Sequence, residues 1–165
     1  MKRFVTTFLS FALLASGTAV AQAPQAPPNN GGMKVIRSGS VPSTKGPDGL
    51  FIGTVRLDPL FPAAPPSNVS GAYVTFEPGA RTNWHVHPAA QMLIVTAGTG
   101  WVEEWGHPVQ EVHAGDTVVI PAGVKHWHGA TATTAMTHIA ISQTIDGKLV
   151  DVGEPVSAEQ YRLAP

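Results

Sequence analysis

From Met33 to the C-terminus, apolar and β-branched residues come in short runs cut by Gly, Pro, Asn and Asp. The runs predict strands over 34–37, 50–56, 71–76, 84–87, 91–97, 100–104, 109–112, 117–120, 125–129, 135–142 and 148–151. Between them, Glu77-Pro78-Gly79, Ala97-Gly98-Thr99-Gly100, His113-Ala114-Gly115-Asp116 and Asp146-Gly147 read as turns, since Gly, Asp and Pro supply the dihedrals that turns need. The segment 58–68, DPLFPAAPPSN, is too proline-rich for a central strand and is expected as a loop over one mouth of a barrel. One helix is expected near the end of the chain. Ser157-Ala158-Glu159-Gln160 has the form of a capping box, followed by Tyr161 and Arg162. Many short strands with regular turns predict an all-β sandwich or small barrel. Solenoid repeats, heptads, phosphate-cradling glycine loops and a G-x-S-x-G elbow are all absent from the sequence.

The N-terminal pattern is different. Lys2 and Arg3 precede an apolar run from Phe4 to about Ala15, and Ala19-Val20-Ala21 has the small-x-small form that signal peptidase reads. Residues 1–21 are therefore expected to be a signal peptide, with an uncleaved anchor as the alternative; the run is too short for a stable membrane span. Export to a bacterial periplasm is expected, with no membrane attachment after cleavage. Residues 22–32, QAPQAPPNNGG, hold no large apolar side chain and are expected as a disordered linker, leaving a single domain over 33–165.

Composition narrows the chemistry. A formal net charge of −1 excludes a basic nucleic-acid surface as the main theme. There is no cysteine, so a metal would have to be held by His, carboxylate or amide groups. The histidines are placed to do this. Side chains at i and i+2 of a strand point the same way, so His85 and His87 in WHVHPAAQ share a face, with Trp84 and Val86 on the other. Pro88 ends that strand, and Gln91 opens the next with its carbonyl oxygen able to reach back. The same alternation puts His126 and His128 of KHWH on one face and Trp127 on the other, and His138 lies in the strand-like MTHIAIS. His107 and His113 fall in turn sequence and are expected to be solvated. A lone strand histidine is usually a satisfied polar residue, but five aimed into one barrel would leave several costly buried groups that a metal explains.

These residues carry a pattern. Gly79-x5-His85-x-His87-x3-Gln91-x6-Gly98 resembles the first cupin motif, with Gln in its Glu position, and Gly115-x5-Pro121-x-Gly123-x2-His126-x3-Ala130 resembles the second, with Ala in its Asn position. The chain thus resembles a single-domain cupin, a small antiparallel β-barrel of jelly-roll type with one metal site. From about Gly53 to Tyr161 it further resembles the bacterial manganese-dependent cupin hydroxynitrile lyases, through stretches such as VTFEPGARTNWHVHP, LIVTAGTGW and KHWHGATATTAMTHIAI. That resemblance implies a metal, Mn(II) first and Fe(II), Co(II), Ni(II) or Zn(II) as alternatives, held by His85, His87, Gln91 and His126. It places His128 and His138 as pocket histidines outside the ligand set. It also implies a carbonyl or cyanohydrin substrate and, by analogy with small cupins, a homodimer or homotetramer.

Gln for Glu removes a negative charge from the ligand set, which leaves a divalent ion more strongly Lewis-acidic and less tightly bound. His128, one strand step from His126, is the expected general base, and a dication nearby would keep its ring neutral. His138 is expected to orient the proton or hold a leaving anion. Thr82 and Arg81 stand at the pocket edge, with Arg81 expected as a solvated charge. Trp101 and Trp105 are expected at a subunit interface or on the barrel surface. The competing functions are a metal-dependent oxygenase and a non-enzymatic cupin that binds a small ligand.

Overall fold

The computed structural model describes residues 32–162; the expected signal peptide and all but the last residue of the expected linker lie outside them. The unit that carries the site begins at Val35. Its strands, in chain order, are β1 (Thr44–Lys45), β2 (Phe51–Ile52), β3 (Val55–Phe61), β4 (Val69–Phe76), β5 (Arg81–Thr82), β6 (His85–Val86), β7 (Gln91–Glu104), β8 (Gln110–His113), β9 (Thr117–Ile120), β10 (His126–Ala130), β11 (Met136–Gln143) and β12 (Asp151–Val152). One short helix follows, α1 (Ala158–Arg162). Every pairing is antiparallel, and the main path runs β1-β3-β4-β11-β7-β10-β5-β2. The all-β barrel with a short C-terminal helix expected from the sequence is what the chain builds.

β7 organises the barrel. Its first half pairs with β11 and β9, and its second half with β10 and β8. The sequence reading divided this stretch at a turn over 97–100. The chain instead continues through Gly98, which sits at φ 75°, while the register with β11 shifts between Thr137 and His138. A bulge of this kind bends a strand without ending it. One strand can therefore serve both sheets, and the bend keeps His138 facing inward.

Three other expectations are corrected. Residues 34–37 form no strand; the first is Thr44–Lys45. The expected strand 50–56 breaks at Gly53-Thr54 into β2 and β3, which lie in different parts of the path. The loop expected from residue 58 starts late, because β3 runs on to Phe61 and pairs Pro59 with Ala72. Proline is tolerated there because β1 covers only Arg56 and Leu57, which leaves β3 an edge strand at Pro59.

Two cores fill the unit. One lies inside the barrel and includes Val55, Val74, Phe76, Leu93, Val95, Ile120 and Met136. The other lies outside β10, where Trp84, Trp101, Trp127, Val156 and Tyr161 pack together. The second core explains why all five residues of β10 are buried although its side chains alternate. α1 covers the outer face. The capping box forms as expected: the Gln160 amide donates to Ser157 Oγ at 3.1 Å, and the Ser157 amide donates to Gln160 Oε1 at 2.9 Å. Tyr161 Oη donates to the Ala130 carbonyl at 2.8 Å. Arg81 is not a free solvated charge: its guanidinium donates to the Val156 and Gly79 carbonyls and lies 4.5 Å from the centre of the Tyr161 ring. Trp101 is buried against Tyr161, whereas Trp105 is half exposed and stands over the Lys125 ammonium.

Candidate metal centre

The site is assembled from strand ends on both halves of the barrel. β6 supplies His85 and the residue just beyond its end is His87; β7 opens with Gln91; β10 supplies His126 and His128; β11 supplies His138. β6 lies between β10 and β12, with His85 opposite both His126 and Val152. β10 and β11 do not pair with each other; His138 comes from β11, which pairs with the first half of β7, whereas β10 pairs with the second half. His138 still reaches the same interior, with its ring 4.9 Å from that of His128. All six side chains are buried.

The hydrogen bonds sort these histidines into two kinds. Nδ1 of His85 lies 2.9 Å from the Asn83 carbonyl, Nδ1 of His126 lies 2.9 Å from the Val124 carbonyl, and Nδ1 of His87 lies 2.7 Å from the Leu149 carbonyl. A carbonyl can only accept, so each Nδ1 carries the proton and each Nε2 is left as a bare lone pair. This is the tautomer a metal ligand needs, with its orientation fixed from behind. His128 and His138 differ: no ring nitrogen of either makes a hydrogen bond of good geometry, although the Ile139 backbone lies near enough to the His138 ring to oppose part of its lowering.

The separations fit a common centre. A ring bound through Nε2 at about 2.1 Å has its centre about 3 Å from the ion, so neighbouring ligand rings should stand about 4–6 Å apart. The rings of His85 and His126 are 4.1 Å apart, those of His85 and His87 5.2 Å, and those of His87 and His126 5.8 Å. Gln91 Oε1 lies 3.1 Å from His126 Nε2, while its amide nitrogen donates to Ser142 Oγ at 3.3 Å. With the amide in this orientation two acceptors face each other, an arrangement that a cation between them resolves. His87 Nε2 is buried and has no other partner.

Ring nitrogens of His85, His126 and His128 also lie within 4.8 Å of one another, so these three form a group that could hold a metal ion. Two sets thus share His85 and His126. One adds His128; the other adds His87 and Gln91. The tautomers favour the second, because His128 has no carbonyl behind it to fix a ligand orientation.

The site is electrostatically unusual in having no carboxylate. Burial pushes the His85 ring down to about 3 and the His126 ring down to about 4, and the neighbouring imidazoles add to the effect. His87 is lowered by burial as well. His128 lies well below the usual imidazole range because of burial first and then the positive charge that His138, His85, His126 and His87 would each present. Burial brings His138 to about 4. All five rings are therefore neutral at neutral pH, able to donate a lone pair to a metal or accept a proton.

A cavity of about 420 Å³ opens onto the histidines. Thr82 lines it, as expected, and its Oγ accepts the His128 amide at 3.1 Å. Ser142 was missed in the sequence, although the alternation His138, Ala140, Ser142 along β11 places it on the inward face. Leu149 was missed as well, and no local signal could have found it, since its backbone carbonyl is what reaches His87. His107 and His113 are exposed beside Glu104 and Glu111, away from the centre, as expected.

Comparison with known proteins agrees with this geometry. A family described as the cupin domain matches residues 72–142. An (R)-mandelonitrile lyase from Granulicella tundricola is 59% identical over 130 residues, which cover 79% of this chain and 99% of that protein. The crystal structure of a cupin-like protein from Thermotoga maritima superimposes with a TM-score of 0.71 at 38% identity, covering 80% of this chain and 97% of that one. A cupin-2 domain protein from Rhodospirillum rubrum shares the fold at 18% identity, with a TM-score of 0.60 over 79% of this chain and 84% of its own. With its barrel, its inward histidines and a lyase this similar over nearly that protein's whole length, the chain belongs to the cupin family, in the branch that includes the Granulicella lyase.

Proposed function

We propose that this chain is a metal-dependent hydroxynitrile lyase, which cleaves cyanohydrins to a carbonyl compound and HCN and runs the reverse addition. The observation that carries the reading is the division among the buried histidines: three anchored through Nδ1 with Nε2 bare, beside two that no well-formed hydrogen bond holds. His85, His87, Gln91 and His126 would hold the ion, which we propose to be Mn(II). When bound, it would supply Lewis acidity toward the substrate oxygen, undiminished by any carboxylate ligand.

The remaining steps belong to the chain. A bare ring nitrogen of His128 takes the hydroxyl proton of the cyanohydrin. As the O–H electrons form the carbonyl, the carbon–carbon bond to the nitrile breaks and cyanide leaves with that pair. The proton then passes from the imidazolium to cyanide, so HCN departs and His128 returns to its neutral state. His138 stands against His128 and is placed to stabilise the transient imidazolium or receive the anion. Phe51, Val74 and Leu149 add an apolar wall to the same cavity.

The lining contains no Lys, Arg, Asp or Glu, so the permanent charge in the loaded site would be that of the ion alone. Metal analysis followed by mandelonitrile cleavage under nitrogen tests the reading. Benzaldehyde release that needs the metal but not oxygen is expected. Oxygen uptake with a catechol or an alkene would mark an oxygenase instead, and a tightly held ion without turnover would mark a binding protein.

We further propose that the chain is exported and acts in the periplasm after cleavage near Ala21, and that it works as a homodimer or homotetramer. These readings rest on the leader pattern and on the habit of small barrels of pairing through their edges. Intact mass of the secreted protein and its sedimentation in solution test them.

A further inference from the structure

The cavity is large for the substrate that the relative's name prints. An engineered apolar cavity of about 150 Å³ is enough to take benzene, whereas this one is about 420 Å³, within the range of roughly 300–1,000 Å³ that holds ligands of drug size. Its polar lining is the histidines, Gln91, Thr82, Ser70 and Ser142, and the rest is apolar, with Val41, Leu50, Phe51, Phe61, Leu149 and Val150 among the wall residues. A single ring bound at the histidines would leave much of that wall in contact with water.

Phe61 forms part of the wall by means the fold has arranged. It ends β3 just after the register shift between Pro59 and Phe61, and its ring rests on Gly71. A Cβ at Gly71 would come within 2.5 Å of that ring, so a bare backbone there is what lets the ring lie where it does. Phe61 is also 38% exposed, an exposure that a ligand with a second apolar group would reduce.

We propose that the cavity takes carbonyl compounds and their cyanohydrins whose side group is larger than one ring, such as two-ring aryl groups, with Phe61 as a determinant of that preference. The proposal rests on the lyase reading for its chemistry and on the cavity alone for its size.

The experiment separates the two. Dissociation constants are measured by calorimetry on the manganese-loaded protein for benzyl alcohol, 2-naphthalenemethanol and 4-biphenylmethanol, none of which carries a nitrile to lose. The two-ring alcohols are expected to bind roughly tenfold or more tighter than benzyl alcohol, the scale set by burying a second ring. Phe61→Ala should narrow the gap between two-ring and one-ring alcohols several-fold. Equal or weaker binding of the two-ring alcohols, or an unchanged gap in Phe61→Ala, would each overturn the proposal. The cyanohydrins of benzaldehyde and 2-naphthaldehyde are then assayed for cleavage. The expected ranking of alcohols without any cleavage would reject the lyase chemistry and leave the size preference standing.

Discussion

His128 differs from its neighbours in having a hydrogen-bonded backbone and a free ring: its amide donates to Thr82 Oγ, while Nδ1 and Nε2 meet no partner. A ring that no carbonyl holds can change its protonation state without breaking a structural bond, which is what proton transfer asks of it. His85, His87 and His126 are each fixed from behind and would lose that bond if Nδ1 gave up its proton. Replacing His128 with Ala is therefore expected to keep manganese at one equivalent by elemental analysis and lower kcat for mandelonitrile cleavage by at least about 100-fold, the usual reach of a general acid–base group. Loss of the ion would instead put His128 in the ligand set, in the grouping it can form with His85 and His126. The spacing H-x-H was enough to place these rings on one face. It was not enough to tell ligand from base, because that distinction lies in backbone carbonyls contributed by Asn83, Val124 and Leu149.

At the scale of the element, β7 carries the decision. Its fourteen residues serve both sheets, and the bend at Gly98 is what allows the candidate ligand Gln91 at one end and the partner of β10 at the other to belong to one strand. A side chain at 98 would meet the Ala135 carbonyl, and the positive φ is itself strained for any residue with a Cβ. Gly98→Ala is expected to destabilise the protein by roughly 3 kcal/mol or more, read as a shift in the denaturant midpoint. A change under about 1 kcal/mol, well inside the ordinary cost of a point mutation, would mean that the bend is not fixed by this contact. The glycine was visible in the sequence as a turn residue. Whether it ended a strand or bent one depended on β11, where Gly98 meets Met136 from a distant stretch of the chain. In β3, likewise, the prolines argued for a loop, and only the short reach of β1 left Pro59 free to sit in a strand.

For the molecule as a whole, placing several neutral imidazoles in one interior ties stability to pH. In the unfolded chain these rings titrate near 6.5, whereas in the fold His126 and His138 stay neutral down to about 4. Between those values the unfolded chain binds more protons than the folded one, so stability is present above about pH 6.5 and is lost as the pH falls. The melting temperature of the metal-free protein is expected to drop steadily from about pH 7 to about pH 4 when followed by differential scanning fluorimetry, and the slope should ease in His138→Gln. A flat profile would contradict burial of the neutral rings. A bound metal should steepen the fall, because protons and the ion compete for the same Nε2 atoms.

The period-two alternation, the turn residues and the two histidine motifs were sufficient to determine a barrel with inward-facing histidines and a capped helix after it, because each of these is a local property of the chain. The tertiary structure alone decided which ring nitrogens are tied down, how large the cavity is, and that α1 and the tryptophans seal the outer face of β10. Those features depend on atoms brought together from distant segments: Leu149 onto His87, Tyr161 onto Ala130, and Phe61 onto Gly71. A hydrogen bond or a wall made by such a pair leaves no periodic trace in either partner's own stretch of sequence.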